Sequence, residues 1–180
     1  MSESREETFR RLYADHFDTV LGFALRRADR PEDAADVTAD TFLVAWRRLE
    51  EVPDDALPWL YGVARRVLAN QRRSAGRSEA LERRIAEAPT ARESHDPGER
   101  MADAELMRLA MGRLSDRSRE ALMLVAWDGL SGAGAARAAG CSRATFAVRL
   151  HRARARLAAE LAALRGAPVT DPEPNSLEVT

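Results

Sequence analysis

The stretch GCSRATFAVRLHRARAR, Gly140 to Arg156, carries Arg143, Arg149, Arg152, Arg154 and Arg156 and not one acid. The chain as a whole is nearly balanced, with 28 basic and 29 acidic residues, so a one-signed segment needs a reason. From residue 129 to residue 159 there is no Asp or Glu at all. A merely solvated helix interleaves both signs so that they can pair. A helix turns about 100° per residue, which allows faces to be assigned from spacing. Phe146, Leu150, Ala153, Leu157, Leu161 and Leu164 then form one apolar stripe. Opposite it lie Ala144, Val148 and His151, flanked by Thr145 and Arg152 on one side and Ala147 on the other, with Arg149 and Arg156 at the stripe's margin.

Working outward, Ser131 caps a short helix through Ala139, Gly140 closes it, and Ser142 caps the long basic one. A short helix, a tight turn and a longer basic helix make a helix-turn-helix. If the stripe packs inward, the opposite face is free to enter a major groove, with arginines in reach of phosphates. Upstream, Ser115 caps DRSREALMLVAWDG, and ADAELMRLAMGRL places Leu106, Leu109 or Ala110, and Leu114 on one face. Residues 101–165 therefore form a helical domain, and the proline-containing tail 166–180 is expected to be disordered.

The first 75 residues form a second helical unit. Phe9, Leu12, Tyr13, Phe17, Val20, Leu21 and Ala24 recur at three- and four-residue steps. Pro31 then suits the first turn of a helix running to about Leu49, with Glu32 and Asp33 at its positive end. On that helix Ala34, Val37, Thr41, Val44 and Ala45 make a core stripe. Phe42, Leu43 and Trp46 lie on another side, beside Ala39 and near Asp36 and Asp40. Large apolar residues rimmed by acids fit a protein interface. A third helix runs from about Pro58 to Ser74, with Leu60, Val63, Ala64 and Val67 on one face and Arg65, Arg66, Arg72 and Arg73 on the other. Trp59 and Tyr61 at its start, beside those arginines, suit unstacked bases. Residues 76–100, with Pro89, Pro97 and mixed charge, read as a linker with a short helix near Leu81 to Ala86.

Composition narrows the function. Every basic residue is Arg, which fits a GC-rich genome over the whole chain and phosphate chemistry where Arg clusters. The single cysteine, Cys141, excludes an internal disulfide, and no spaced Cys/His set suggests zinc. The charged start MSESREETFRRLY has no apolar signal core, and no run approaches a membrane span, so a cytoplasmic protein without membrane insertion is expected. His16, His95 and His151 are scattered, and no phosphate loop or carboxylate pair appears, so neither an enzyme nor a cofactor is expected.

Four segments in order, DVTADTFLVAWRRL, PWLYGVARRVLANQRR, LSDRSREALMLVAWDGLS and GCSRATFAVRLHRARARL, resemble bacterial RNA polymerase sigma factors of the extracytoplasmic-function group, within the sigma-70 family. The resemblance covers residues 5–74 and 101–163 and implies an all-α, two-domain factor of transcription initiation. It places the contacts with core RNA polymerase on Asp36, Ala39, Asp40, Phe42, Leu43 and Trp46, and the minus-ten promoter contacts around Trp59, Arg65, Arg66, Asn70 and Arg73. Recognition of the minus-thirty-five element falls on Ala147, Val148, His151 and Arg152, with Arg143, Thr145 and Arg149 beside them. Promoter DNA and an anti-sigma protein are the further partners it implies.

The chain departs from the family pattern in four places. Ala39 stands where Gln is frequent, and Arg66 where Asn is frequent. The scaffold helix of the helix-turn-helix usually carries Glu-Ile-Ala and here reads SGAGAARAAG. Two internal glycines each cost about 1 kcal/mol relative to Ala, so that helix is expected to be weak alone. Ala147 and Val148 replace polar residues, which predicts contacts to thymine methyls. The competing function is a stand-alone helix-turn-helix regulator that dimerises through its N-terminal block.

Overall fold

The computed structural model of the chain describes residues 4–82 and 99–166. Its helices are α1 (Arg5–Leu25), α2 (Pro31–Arg47), α3 (Ala56–Glu82), α4 (Glu99–Gly112), α5 (Asp116–Ala126), α6 (Gly132–Ala139) and α7 (Arg143–Leu164), with a 3-10 turn at Leu49–Glu51. Among the described residues there is no strand. The helix α3 runs on past Ser74, the end that the sequence predicts. The expected short helix near Leu81 to Ala86 falls mostly, and the expected tail almost wholly, outside the described residues.

Local chemistry sets the helix ends. Ser4 and Glu7 form a reciprocal capping box, Ser4 Oγ accepting from the Glu7 amide at 3.2 Å and Glu7 Oε2 accepting from the Ser4 amide at 3.0 Å. Those bonds hold the Glu7 carboxyl below its ordinary pKa. Pro31 opens α2, and Ser115, Ser131 and Ser142 cap α5, α6 and α7, all as the sequence predicts. Gly140 ends α6 with φ 66°, a left-handed conformation that favours glycine. Cys141, half-buried behind it, donates its amide to Ala136 O at 3.0 Å.

Helices α1 to α3 enclose Val20, Phe23, Ala24, Ala34, Val37, Ala45, Leu60 and Ala64. The helices α4, α5 and α7 close on a smaller cluster of Leu114, Leu122 and Ala153, with Met111, Leu150 and Leu157 around it. Beyond the two helical halves that the sequence predicts, the main core continues from the first half into the second, through Ala121, Leu124, Leu130, Ala135, Ala138 and Phe146.

The physical reason is the small-residue face of α6. A Cβ placed on Gly62 of α3 would lie 3.6 Å from Ala138 O, and one on Gly134 only 3.2 Å from Pro58 Cγ. With Gly134, Ala135, Ala136 and Ala138 all buried, α6 draws its stability from packing rather than from helix propensity. The departure from the usual scaffold-helix sequence is thus matched to the surface of α3. The room at Gly62 is ordinary van der Waals space, so Gly62→Ala is expected to stabilise the chain by about 1 kcal/mol through α3 propensity. Urea denaturation checks this, and a loss of stability would mean that the α3–α6 seam has no room for a methyl group at this position.

Candidate nucleic-acid interface

Helix α7 is anchored by Phe146 and Ala153, both fully buried, and its opposite side is bare. Arg143, Ala144, Thr145, Ala147, Val148, His151 and Arg152 are exposed and Arg149 is half-buried, as the helical wheel predicts. Val148, 51% exposed, is an uncovered apolar centre within a basic face. Among the described residues, Arg143, Arg149 and Arg152 have no carboxylate partner, whereas Arg156 is tied to Glu160 at 2.9 Å. Unspent guanidinium groups around an apolar spot suit a duplex, with phosphates at the rim and a base edge at the centre.

Sequence reasoning missed Arg117 and Ser118, at the start of α5. Together with Ala144, Thr145, Val148, Arg149 and Arg152 they line a groove of about 550 Å³. Arg117 follows a recognisable cap, but nothing within DRSRE shows that this helix start adjoins α7.

The arginine face of α3 divides. Arg66, Asn70 and Arg73 are exposed, and Asn70 accepts a hydrogen bond from Arg73. Trp59 is half-buried with the Arg48 guanidinium 5.9 Å from its ring centroid. Arg48, Trp59, Arg66 and Arg137 share an open cleft of about 340 Å³ with Pro53, Pro58 and Gly62. Arg65, expected on the same outward face, turns inward instead. It donates to Glu120 at 3.1 Å and to Ala138 O at 2.9 Å, because α5 and α6 lie against this part of α3. Tyr61 is also unavailable, being buried and stacked on Phe23 at 4.2 Å. Burial first, and then the nearby Asp128 carboxylate, pushes its hydroxyl pKa up to about 12.

The exposed part of the α2 face expected to meet a partner is narrower than the sequence predicts. Asp36, Ala39, Asp40 and Leu43 are exposed. Phe42 is 3% exposed and belongs to the core, packed among Phe9, Tyr13 and Phe17, which corrects its placement on an open face. The stripe of α1 turns these rings toward α2, and a second layer of aromatics closes over Phe42. Trp46 is half-buried, edge-on to Phe9 at 5.1 Å with Arg5 5.2 Å from its centroid. Tyr13, 41% exposed, adds an aromatic edge that the sequence did not assign to this face.

Among the described residues, no group of His, Cys, Asp and Glu could hold a metal ion, and no helix is long and apolar enough to cross a membrane.

Against known proteins, residues 12–78 match the sequence model for Sigma-70 region 2, and residues 104–157 that for Sigma-70, region 4. The chain is 30% identical over 145 residues to the ECF RNA polymerase sigma factor SigL of Mycobacterium tuberculosis, covering 79% of this chain and 82% of that protein. It is 32% identical over 146 residues to the RNA polymerase sigma-E factor of Streptomyces coelicolor, covering 81% of each. Among solved structures it is similar to the sigma factor RpoE of Bartonella quintana, in complex with the anti-sigma factor NepR. That match has a TM-score of 0.64 and 26% identity, over 85% of this chain and 96% of that one. CnrH in complex with the cytosolic domain of CnrY matches with a TM-score of 0.58 and 28% identity, over 86% of this chain and 88% of that one.

Proposed function

This chain belongs to the sigma-70 family of RNA polymerase sigma factors, and on that premise we propose how its faces divide the work of an alternative sigma factor in promoter-specific initiation. The exposed part of α2, with Asp36, Ala39, Asp40 and Leu43 flanked by Trp46, binds core RNA polymerase. The arginine face of α3 and the cleft around Trp59 take the minus-ten element as it opens. The outward face of α7 reads the minus-thirty-five element from the major groove.

The observation that carries the α7 assignment is its set of arginines unpaired among the described residues around an exposed Val148, on a helix whose opposite side is buried. Phosphate contacts by Arg143 and Arg149 fix the register, and Arg152 with His151 and Val148 meets base edges. No covalent step is assigned to the chain, because the work proposed here is recognition and strand separation. The formal net charge of −1 limits binding of the free protein to random DNA, since phosphate attraction scales with basic contacts. The protein acts where the polymerase is, in the cytoplasm, and an anti-sigma protein that covers these faces is its natural regulator.

Transcription in vitro with core polymerase over a promoter library tests the reading. Core-dependent, promoter-specific transcripts are expected. A footprint by the chain alone, unchanged by core, would replace the proposal with a stand-alone regulator. Arg152→Ala is expected to weaken discrimination of the upstream element roughly tenfold, the lower part of the 1–3 kcal/mol range for a good base contact. Arg152 is exposed and unpaired among the described residues, so the fold should be unaffected. Unchanged promoter selectivity would remove Arg152 from the reading face.

A further inference from the structure

A cleft of about 400 Å³ opens between the end of α1, the middle of α3 and the start of α5. Small-molecule sites occupy about 300–1,000 Å³, so its size is that of a ligand pocket. Arg26 and Arg27 line it from just past the end of α1, Arg65 and Arg72 from α3, and Arg117 and Arg119 from α5. Three acids, Asp29, Asp116 and Glu120, share the wall. The rest of the lining is apolar, with Leu68 buried and Ala28 and Met123 half-buried.

The six arginines are not equally committed. Asp128, a fully buried carboxylate at the corner between α5 and α6, accepts from Arg26 and Arg27 at 2.5 Å each. Glu120 accepts from Arg27 at 3.2 Å and from Arg65 at 3.1 Å. Arg119 donates to the carbonyls of Met111, Gly112 and Leu114 around the end of α4, and to Asp116. Arg72 is exposed and donates to Arg27 O at 2.6 Å, with no carboxylate partner among the described residues. Arg117 is exposed, and among the described residues it has neither a hydrogen bond nor an ion pair. Even with Asp128 counted, six arginines meet four carboxylates, so the cleft keeps an excess of positive charge.

We propose that this cleft binds a nucleoside triphosphate, with its phosphates on Arg72 and Arg117 and its base against Leu68 and Met123. Guanidinium groups match phosphate oxygens with paired donors and stay charged at any physiological pH. The amides that open α5 add the positive end of a helix to the same wall. Two spare arginines on different helices suit a run of phosphates better than a single anion. The apolar lining gives a flat base a surface to cover, from which an inorganic anion gains nothing. Walls from three elements suit a compact ligand, whereas a duplex needs an open face such as that of α7. The site needs neither polymerase nor promoter, so it stands apart from the sigma-factor reading.

Isothermal titration of the full chain with ATP, at low salt and without divalent cation, tests the site. One molecule is expected per chain, with a rise in melting temperature, because a ligand that binds only the folded state stabilises it. Arg72→Gln and Arg117→Gln should each weaken ATP binding roughly tenfold, the lower end for a hydrogen bond to a charged group. Both side chains are exposed, and the melting temperature of each variant without ligand checks that it folds. Arg108→Gln, which removes an exposed arginine paired with Glu105 outside the cleft, should leave ATP affinity unchanged. Tripolyphosphate is expected to compete with ATP and to bind more weakly, having no base. Tripolyphosphate that binds as tightly as ATP would overturn the nucleoside assignment. Absence of ATP binding, several equivalent sites, or an affinity that neither cleft variant changes would overturn the cleft. So would a DNA duplex that displaces ATP and itself loses affinity in Arg72→Gln, because a strand backbone would then be the occupant.

Discussion

Asp128→Ala is expected to destabilise the closed chain by about 3–5 kcal/mol, the usual cost of removing one partner of a buried ion pair. The carboxylate has no solvent contact and answers two guanidinium groups, so its loss leaves positive charge behind in the core. Of the two, Arg26 is partly exposed and can rehydrate. Arg27 cannot, and keeps only Glu120 and the Phe23 carbonyl as acceptors. The cost should therefore come mainly from Arg27. It has a ceiling, because the halves separate once the penalty exceeds what their docking contributes. Calorimetry is then expected to show two transitions where the native chain shows one. A single, barely shifted transition would mean that Asp128 contributes no cohesion between the halves.

The second large effect contrasts neighbours on α2. Phe42→Ala should cost about 3–5 kcal/mol, the range for a buried aromatic truncated to Ala. Its ring lies 4.7 Å from Tyr13 and within 6.4 Å of Phe9, so the cavity opens between α1 and α2. Leu43→Ala, one residue on, removes a side chain that is 45% exposed. It should change stability by no more than about 0.5 kcal/mol. Its effect belongs in assembly, where loss of an interface anchor typically costs about 2 kcal/mol or more. Urea denaturation and holoenzyme formation by gel filtration separate the two outcomes. Native-like assembly by Leu43→Ala would take the polymerase contact off this face.

These two positions also show where reading one sequence stops. A helical wheel puts Phe42 and Leu43 on one side of α2, since they differ by a single 100° step. Which of them is covered depends on where α1 crosses, and α1 leans over Phe42. Arg65 and Arg66 divide in the same way. The wheel turns both outward, and the presence of Glu120 on α5 draws only Arg65 in. Arg117 shows the reverse limit, because it joins the α7 groove only when α5 is set beside α7.

The sequence by itself determined the helices, most of their ends and the basic face of α7. Those features depend on side chains three or four residues apart and on hydroxyl or proline caps, which act over a single turn. Tertiary structure alone decided which arginines remain free and that the two halves meet. Pairing Arg27 with Asp128 links residues 101 positions apart. No local periodicity encodes such a pair, because its energy exists only once packing has excluded water from both charges.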